Sequence, residues 1–186
     1  RLRSSTEPKL LWMRTFQEIY NPILAVDVLN ELKKKYPHAS LTMGGQEKGM
    51  LGLVQRRVEE LRQKDAFRLA GFLDIQGKQC EFSTHDIFLN TNHIDNMPIS
   101  VIEAAASGMP IVATRVGGMP YLLSDGENGL LTKDADVAEM VGAVCRILEE
   151  PGLAGKLSMN ARLLGERHDW AITLTQWDSL FQAVNL

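Results

Sequence analysis

The chain has 186 residues, of which 45% are hydrophobic and 23% charged, and its net charge is −3. This length fits one domain of ordinary size, and the apolar content suffices for a buried core, which excludes wholesale disorder. The slightly acidic balance argues against nucleic acid or an anionic membrane surface as the main partner.

The predicted elements alternate between strands and helices. The polar residues 1–8 are predicted as a linker or frayed start, and the domain is predicted over residues 9–186. Strands are predicted at residues 10–13, 40–43, 67–70, 87–89, 111–114 and 129–132. Helices are predicted at residues 22–35, 50–64, 75–82, 98–107 and 135–149, with two closing helices running on through Arg162 and Trp177.

This alternation, at spacings of 20 to 30 residues, is typical of βαβ units and a parallel sheet. We therefore predict an α/β fold, a doubly wound Rossmann-like sheet of about six strands with helices on both faces. The two closing helices are expected to cap this sheet or to cross to another domain. Trp170, Trp177 and Phe181 on the last of them are expected to be packing groups.

The stretch 86–120 is the predicted site, because a polar loop follows a buried strand there and precedes a helix. Pro98 and Ser100 are expected to open that helix, with Ser100 as a candidate cap. Asp95 lies in the loop and Glu103 in the helix, so the two acids could reach different parts of one ligand, such as two sugar rings flanking a diphosphate. The alternative is that Asp95 caps a turn and that Glu103 merely occupies a favourable position near the N-terminus of the helix.

Other side chains are weaker candidates. Arg14, at a predicted strand end, can offer a planar fork to phosphate oxygens, or it is a surface arginine. The glycine pairs 44–45 and 117–118 allow close approach of a ligand, or they form ordinary turns. His93 is interpreted either as a ligand contact or as a structural hydrogen bond. The D-x-D at 134–136 is interpreted as a helix cap rather than a metal site.

Several functional classes are disfavoured because their characteristic sequence motifs are absent. The chain contains no G-x-G-x-x-G fingerprint, phosphate-loop motif or G-x-S-x-G elbow. Cys80 and Cys145 fit neither a disulfide framework nor a metal site, so both are predicted to be buried thiols in a reducing compartment. Because no signal peptide or apolar run of about 18 residues is present either, we expect a cytoplasmic location.

The run DNMPISVIEAAASGMPIVATRVGGMPYLLSDGENGLL, which begins at Asp95, resembles the donor-binding half of retaining family 4 glycosyltransferases of the GT-B fold. The family signature is an acid, seven residues and a glutamate, then G-x-P-V-V-A-T, G-G-x-P-E and D-G-x-x-G-L-L. Asp95 and Glu103 occupy the two acidic positions. Arg14, the glycines at 44–45 and residues 70–72 fall where the family has similar features, so the resemblance covers approximately residues 9–184.

The resemblance implies a C-terminal, donor-binding domain of a retaining, hexosyltransferase-like enzyme. Arg14 and Asp95 would be catalytic, Arg14 by stabilising the diphosphate leaving group and Asp95 by holding the donor sugar. Glu103 would bind the ribose hydroxyls and Ser100 would face the phosphates. The remaining implied donor-binding residues are Gly71, Asn96, Met97 and Pro98.

The same resemblance implies a metal-independent reaction with no cofactor, in which a nucleotide diphosphate sugar is the donor substrate. A missing N-terminal domain would bind the acceptor and could bring peripheral membrane association. The isolated domain is therefore expected to bind the donor and to be inactive in transfer.

Two departures from the family pattern leave alternatives open. Asp95 is one methylene shorter than the usual glutamate, and Ile19 stands where a lysine is usual. These features favour, as alternatives, a non-catalytic nucleotide-sugar-binding or assembly module, or a nucleotide-sugar epimerase of GT-B architecture.

Overall fold

The computed structural model describes residues 1–183; residues 184–186, the end of the predicted domain and of the predicted resemblance, lie outside the described part. Six strands form one parallel sheet: β1 (Lys9–Met13), β2 (Ser40–Gly44), β3 (Phe67–Gly71), β4 (Ile87–Asn90), β5 (Ile111–Thr114) and β6 (Leu130–Thr132). Their order is β3-β2-β1-β4-β5-β6, which confirms the predicted doubly wound, Rossmann-like sheet. Strands β1 to β3 are added toward one edge of the sheet and β4 to β6 toward the other, so the direction of strand addition reverses between β1 and β4.

Eight helices accompany the strands in the described part: α1 (Pro22–Leu32), α2 (Leu51–Glu60), α3 (Ile75–Thr84), α4 (Ile99–Ala106), α5 (Met119–Leu122), α6 (Val137–Glu149), α7 (Leu153–Arg167) and α8 (Trp170–Ala183). The predicted elements are found with shifted ends, and the short α5 is an addition to them. Both α1 and α2 end a few residues before the predicted positions, so the lysines at 33–35 follow the helix.

The sheet is covered on both faces. Leu10 and Trp12 of β1 pack in a core with α1, α2 and α6, while Leu11 and Met13 pack in a second core with α4 and α7. Burial on both faces is the physical reason why the central strands read as continuous apolar runs rather than as alternating ones. With its faces closed, the sheet leaves its edges and strand ends for binding.

The opening segment corrects a prediction. The composition of residues 1–8 predicts a linker or frayed start, but Arg3 is only 2% exposed. Its guanidinium donates to the carbonyls of Phe82, His85, Ser107 and Gly108, at the ends of α3 and α4. Carbonyls at helix ends lack partners within their own helix, so this arginine satisfies groups that would otherwise be buried alone.

The two closing helices behave differently. α7 packs on α4, where Gly165 lies against Ala106. On α8, Trp170, Trp177 and Phe181 are 75%, 51% and 48% exposed, so they do not pack against the rest of the described chain, and a role in packing on another domain stays a prediction. Trp177 and Phe181 stack on each other, with ring centroids 5.6 Å apart.

Cys80 is exposed and Cys145 is partly buried, so the prediction that both are buried thiols is wrong. Cys80 lies on the outer face of α3, a helix that buries only Glu81 and Phe82.

Within residues 1–183, every helix is too short or too polar to cross a bilayer.

Acidification is expected to weaken the fold through His85. Its ring bonds the Glu81 carbonyl and the Thr42 hydroxyl, each at 2.9 Å, and burial lowers its pKa below the ordinary value. The unfolded chain therefore takes up a proton at a higher pH, near the ordinary histidine pKa of 6.5, so stability is lost as pH falls below that point.

Urea denaturation between pH 7.5 and 5 measures this loss. His85→Gln is expected to flatten the pH dependence of the unfolding free energy, whereas His38→Gln, at an exposed position, leaves it unchanged. An equal pH dependence in wild type and His85→Gln would contradict the assignment.

Candidate functional site

A cavity of about 370 Å³ opens at the carboxyl ends of the strands, near the reversal between β1 and β4. Its walls come from the segments after β1, β2 and β3 and from the first turns of α3 and α4. The lining residues include Arg14, Tyr20, Gly44, Gly45, Phe72, Leu73, Lys78, Ser100 and Glu103. A crevice at such a reversal is the usual ligand position in open parallel α/β sheets.

Asp95 is held against Arg14 at one end of this region. Arg14 Nη2 and Asn92 Nδ2 donate to Asp95 Oδ2 at 2.6 and 2.5 Å, and the Asn96 amide donates to Oδ1 at 2.9 Å. The Arg14 guanidinium also lies 4.0 Å from the centroid of the Tyr20 ring. The buried Arg14 Nε lacks a hydrogen-bond partner among the described residues.

The glycines at 117–118 are predicted either to admit a ligand or to form an ordinary turn. The structure gives them a third role, since a β-carbon on Gly117 or Gly118 would come closer than 3.0 Å to the carbonyl oxygen of Asp95 or Asn96. The Gly118 amide also donates to the Asp95 carbonyl at 2.7 Å. The pair therefore makes room for the acidic loop and fixes it.

Ser100 is inside helix α4 and does not cap it, which corrects the prediction. Pro98 occupies the cap position and Ile99 is the first helical residue, because the proline ring already fixes an extended entry. The Ser100 hydroxyl is buried and lacks a hydrogen-bond partner within residues 1–183. An unpaired hydroxyl in the first turn of a helix, at a cavity wall, suits an anionic group, which the helix dipole also favours.

Glu103 lies one turn further along α4 and lines the same cavity. Lys78 Nζ, from α3, contacts both of its carboxylate oxygens, at 2.7 and 3.0 Å. Lys78 is not predicted as a site residue from the sequence, because its partner lies 25 residues away on another helix. Neither its spacing nor a motif marked it.

Arg14, Ser100 and Glu103 thus share the cavity, and Asp95 is paired with Arg14, whereas the other predicted site residues do not line it. Gly71 ends β3 with a φ of 69°, and its carbonyl accepts from the Gly45 amide at 2.8 Å. Its neighbours Phe72 and Leu73 form the wall. Asn96 and Met97 belong to the loop before Pro98, and Met97 is 56% exposed.

The remaining loop candidates form structural contacts. His93 Nδ1 lies 2.8 Å from Asp134 Oδ1, as its hydrogen-bond interpretation predicted. Asp136 Oδ1 accepts from the Glu139 amide at 2.9 Å, which confirms it as the cap of α6. Ile19 lies in a short turn outside the cavity wall, and its carbonyl accepts from the His93 amide.

Curated relatives of the chain are glycosyltransferases. Glycogen synthase from Mycobacterium tuberculosis (strain CDC 1551 / Oshkosh) is 26% identical over 160 residues, which cover 86% of this chain and 38% of that protein. D-inositol 3-phosphate glycosyltransferase from Acidothermus cellulolyticus is 37% identical over 83 residues, which cover 45% of this chain and 18% of that protein. The chain therefore spans well under half the length of these relatives.

Solved structures share the fold. HepE from Anabaena, in complex with UDP and glucose, superposes with a TM-score of 0.83 at 16% identity, covering 94% of this chain and 48% of that one. The C-terminal domain of a group 1 family glycosyl transferase, LpcC from Francisella tularensis, gives a TM-score of 0.75 at 17% identity, covering 88% of this chain and 87% of that one. The architecture thus matches GT-B C-terminal domains, as the resemblance implied.

The family model described as "Glycosyl transferases group 1" matches residues 1–164. This match includes all six strands, the cavity and both acids of the signature. The chain belongs to the glycosyl transferases group 1 family.

Proposed function

We propose that this domain binds the nucleotide diphosphate sugar donor of a retaining, family 4 glycosyltransferase. The observation that carries the proposal is one cavity that joins Arg14, Ser100 and Glu103, with Asp95 bonded to Arg14 at its edge. Such a site offers a cation and the N-terminus of a helix to a diphosphate. It also offers carboxylates to two sugar rings. The UDP and glucose named with the Anabaena structure support this ligand class.

Each part of the donor has a suitable partner in this proposal. The Glu103 carboxylate accepts from the ribose hydroxyls, and the Ser100 hydroxyl with the first turn of α4 meets the diphosphate. Gly71 lets the backbone that leads into Phe72 and Leu73 approach the base end. Asp95 and residues 96–98 hold the donor sugar.

Arg14 would assist the chemical step. As the bond between the sugar and the diphosphate breaks, negative charge builds on the leaving phosphate, and a pre-oriented guanidinium stabilises that charge. Arg14 is oriented before any ligand arrives, because Asp95 holds one end of the guanidinium and Tyr20 lies against its face. We infer that the reaction is metal-independent and needs no cofactor.

The activity of the whole enzyme is part of the same proposal. A second, N-terminal domain would hold the acceptor and close over the cavity, and any peripheral membrane contact would come through it. The 186-residue chain alone would then bind donor without efficient transfer. We infer a cytoplasmic location, where nucleotide sugars and reduced cysteines are both expected.

Calorimetry with UDP, GDP and ADP tests donor binding. We expect one of them to bind, and Glu103→Gln to weaken it by about 1–3 kcal/mol, because a charged hydrogen bond to the ribose is lost. Glu166→Gln is the matched control, since Glu166 pairs with Arg162 on α7, away from the cavity.

Folded protein that binds none of the three nucleotides would contradict the proposed function. An affinity that Glu103→Gln leaves unchanged would remove Glu103 from the site while keeping the function. Donor binding without transfer, even when the acceptor domain is supplied, would instead favour a non-catalytic binding module.

A further inference from the structure

Lys78 is a second cation in the cavity wall, besides Arg14. It projects from the first turns of α3, and its ammonium spans the two oxygens of Glu103 on α4 at 2.7 and 3.0 Å. The two side chains are 34% and 32% exposed, so both remain accessible to a ligand in the cavity. The pair bridges α3 and α4 at the cavity wall.

We propose that Lys78 is a positioning residue that holds the Glu103 carboxylate in the orientation needed for ribose, an inference that rests on the proposed function. A carboxylate has about four acceptor sites on its two oxygens. Lys78 occupies one site on each oxygen and leaves one on each for a vicinal diol. The geometry therefore leaves Glu103 matched to two adjacent hydroxyls.

The position of Lys78 is itself fixed. Asp74 caps α3 by accepting from the Gly77 amide at 2.7 Å, which sets the first turn of the helix one residue before Lys78. The adjacent Leu73 packs close to Gly44 at the end of β2. Glu103, in turn, is carried by α4, which packs on α7. An ammonium tethered in this way limits the rotamers open to Glu103.

Lys78 also balances the negative charge of Glu103 at the cavity. Of the charged groups at the cavity, Arg14 pairs with Asp95 and Lys78 pairs with Glu103. Each of the two carboxylates therefore has its own cation, and the carboxylate that Lys78 neutralises is the one assigned to the ribose.

A double-mutant cycle with UDP and 2′,3′-dideoxy-UDP tests the positioning role. Lys78→Met keeps an unbranched stem as long as the aliphatic part of lysine but removes the ammonium, and it should weaken UDP binding about 10-fold, in line with the loss of one charged interaction. The loss should be less than about 2-fold for the dideoxy nucleotide, and less than about 2-fold when Lys78→Met is added to Glu103→Gln. Lys156→Met, which breaks an exposed pair with Glu127, is the control and should change neither affinity.

Equal losses for UDP and the dideoxy nucleotide would overturn the proposal, because Lys78 would then act on the phosphates and not through Glu103. A full additional loss in the Glu103→Gln background would also overturn it. A crystal structure of unliganded Lys78→Met adds a test that does not depend on nucleotide binding. The Glu103 carboxylate is expected to leave its position there, and an unmoved carboxylate would refute the role of Lys78 even if donor binding holds.

Discussion

Gly165→Ala is expected to destabilise the fold by about 3 kcal/mol, the upper part of the range for overpacking a tight contact. Gly165 lies where α7 crosses α4, and a β-carbon there would come closer than 3.0 Å to the backbone nitrogen and Cα of Ala106. Backbone atoms cannot rotate away as a side chain can, so the two helices would have to separate. Urea denaturation measures the change in the free energy of unfolding.

Gly155→Ala is the matched control, because it lies in the same helix. The nearest atom to its added methyl would be the Ser4 Cα at 3.8 Å, an ordinary contact. Alanine there should stabilise the protein by roughly 0.5–1 kcal/mol through helix propensity. Similar effects of the two substitutions would contradict the close helix contact. Since α4 carries Ser100 and Glu103, Gly165→Ala should also weaken the proposed nucleotide binding.

The sheet could be predicted because its residues have local signatures. Runs such as 87–89 and 111–114 are continuously apolar, as expected for strands buried on both faces, and the helices between them have a clear period. The cap at Asp136 also follows from local chemistry. What sequence spacing could not supply was the strand order, which depends on how the crossovers pack.

The site was predicted only in part, for a similar reason. Asp95 and Glu103 stand out because they flank one helix start, and the resemblance gave them separate roles. Lys78 does not stand out, since its role depends on a partner on another helix. The role of the glycines at 117–118 depends likewise on the carbonyls of a loop more than 20 residues earlier in the chain. Contacts of this kind follow from tertiary packing, which local patterns do not encode.

The prediction that residues 1–8 form a linker or frayed start fails because of Arg3. Residues 1–8 have the composition of a solvated linker, and most linkers of that kind are exposed. Arginine differs from most polar residues because five N–H groups can satisfy several acceptors at once. Here those acceptors are the terminal carbonyls of α3 and α4, brought together by the fold. The segment is therefore held by the helices that also carry Lys78 and Glu103.

Arg3→Met is expected to destabilise the protein by about 3–5 kcal/mol, the cost of removing one partner from a buried charged network. Buried carbonyls at two helix ends would lose their donors, and the buried Asp86, 3.5 Å from Arg3 Nε, would lose one of its two cations. Arg3→Lys should recover only part of the loss, because an ammonium keeps the charge without the fork. The free energy of unfolding in urea reports each change.

Arg1→Met separates this network from a simple charge effect, since Arg1 pairs with the same Asp86 but its side chain is 56% exposed. An exposed ion pair contributes about 0–1 kcal/mol, so the loss should be several times smaller than that of Arg3→Met. Comparable losses would mean that Asp86 neutralisation, rather than the helix-end carbonyls, accounts for the effect. A small loss for both would show that residues 1–8 are the linker that their composition suggests, and that α3 and α4 hold their ends without them.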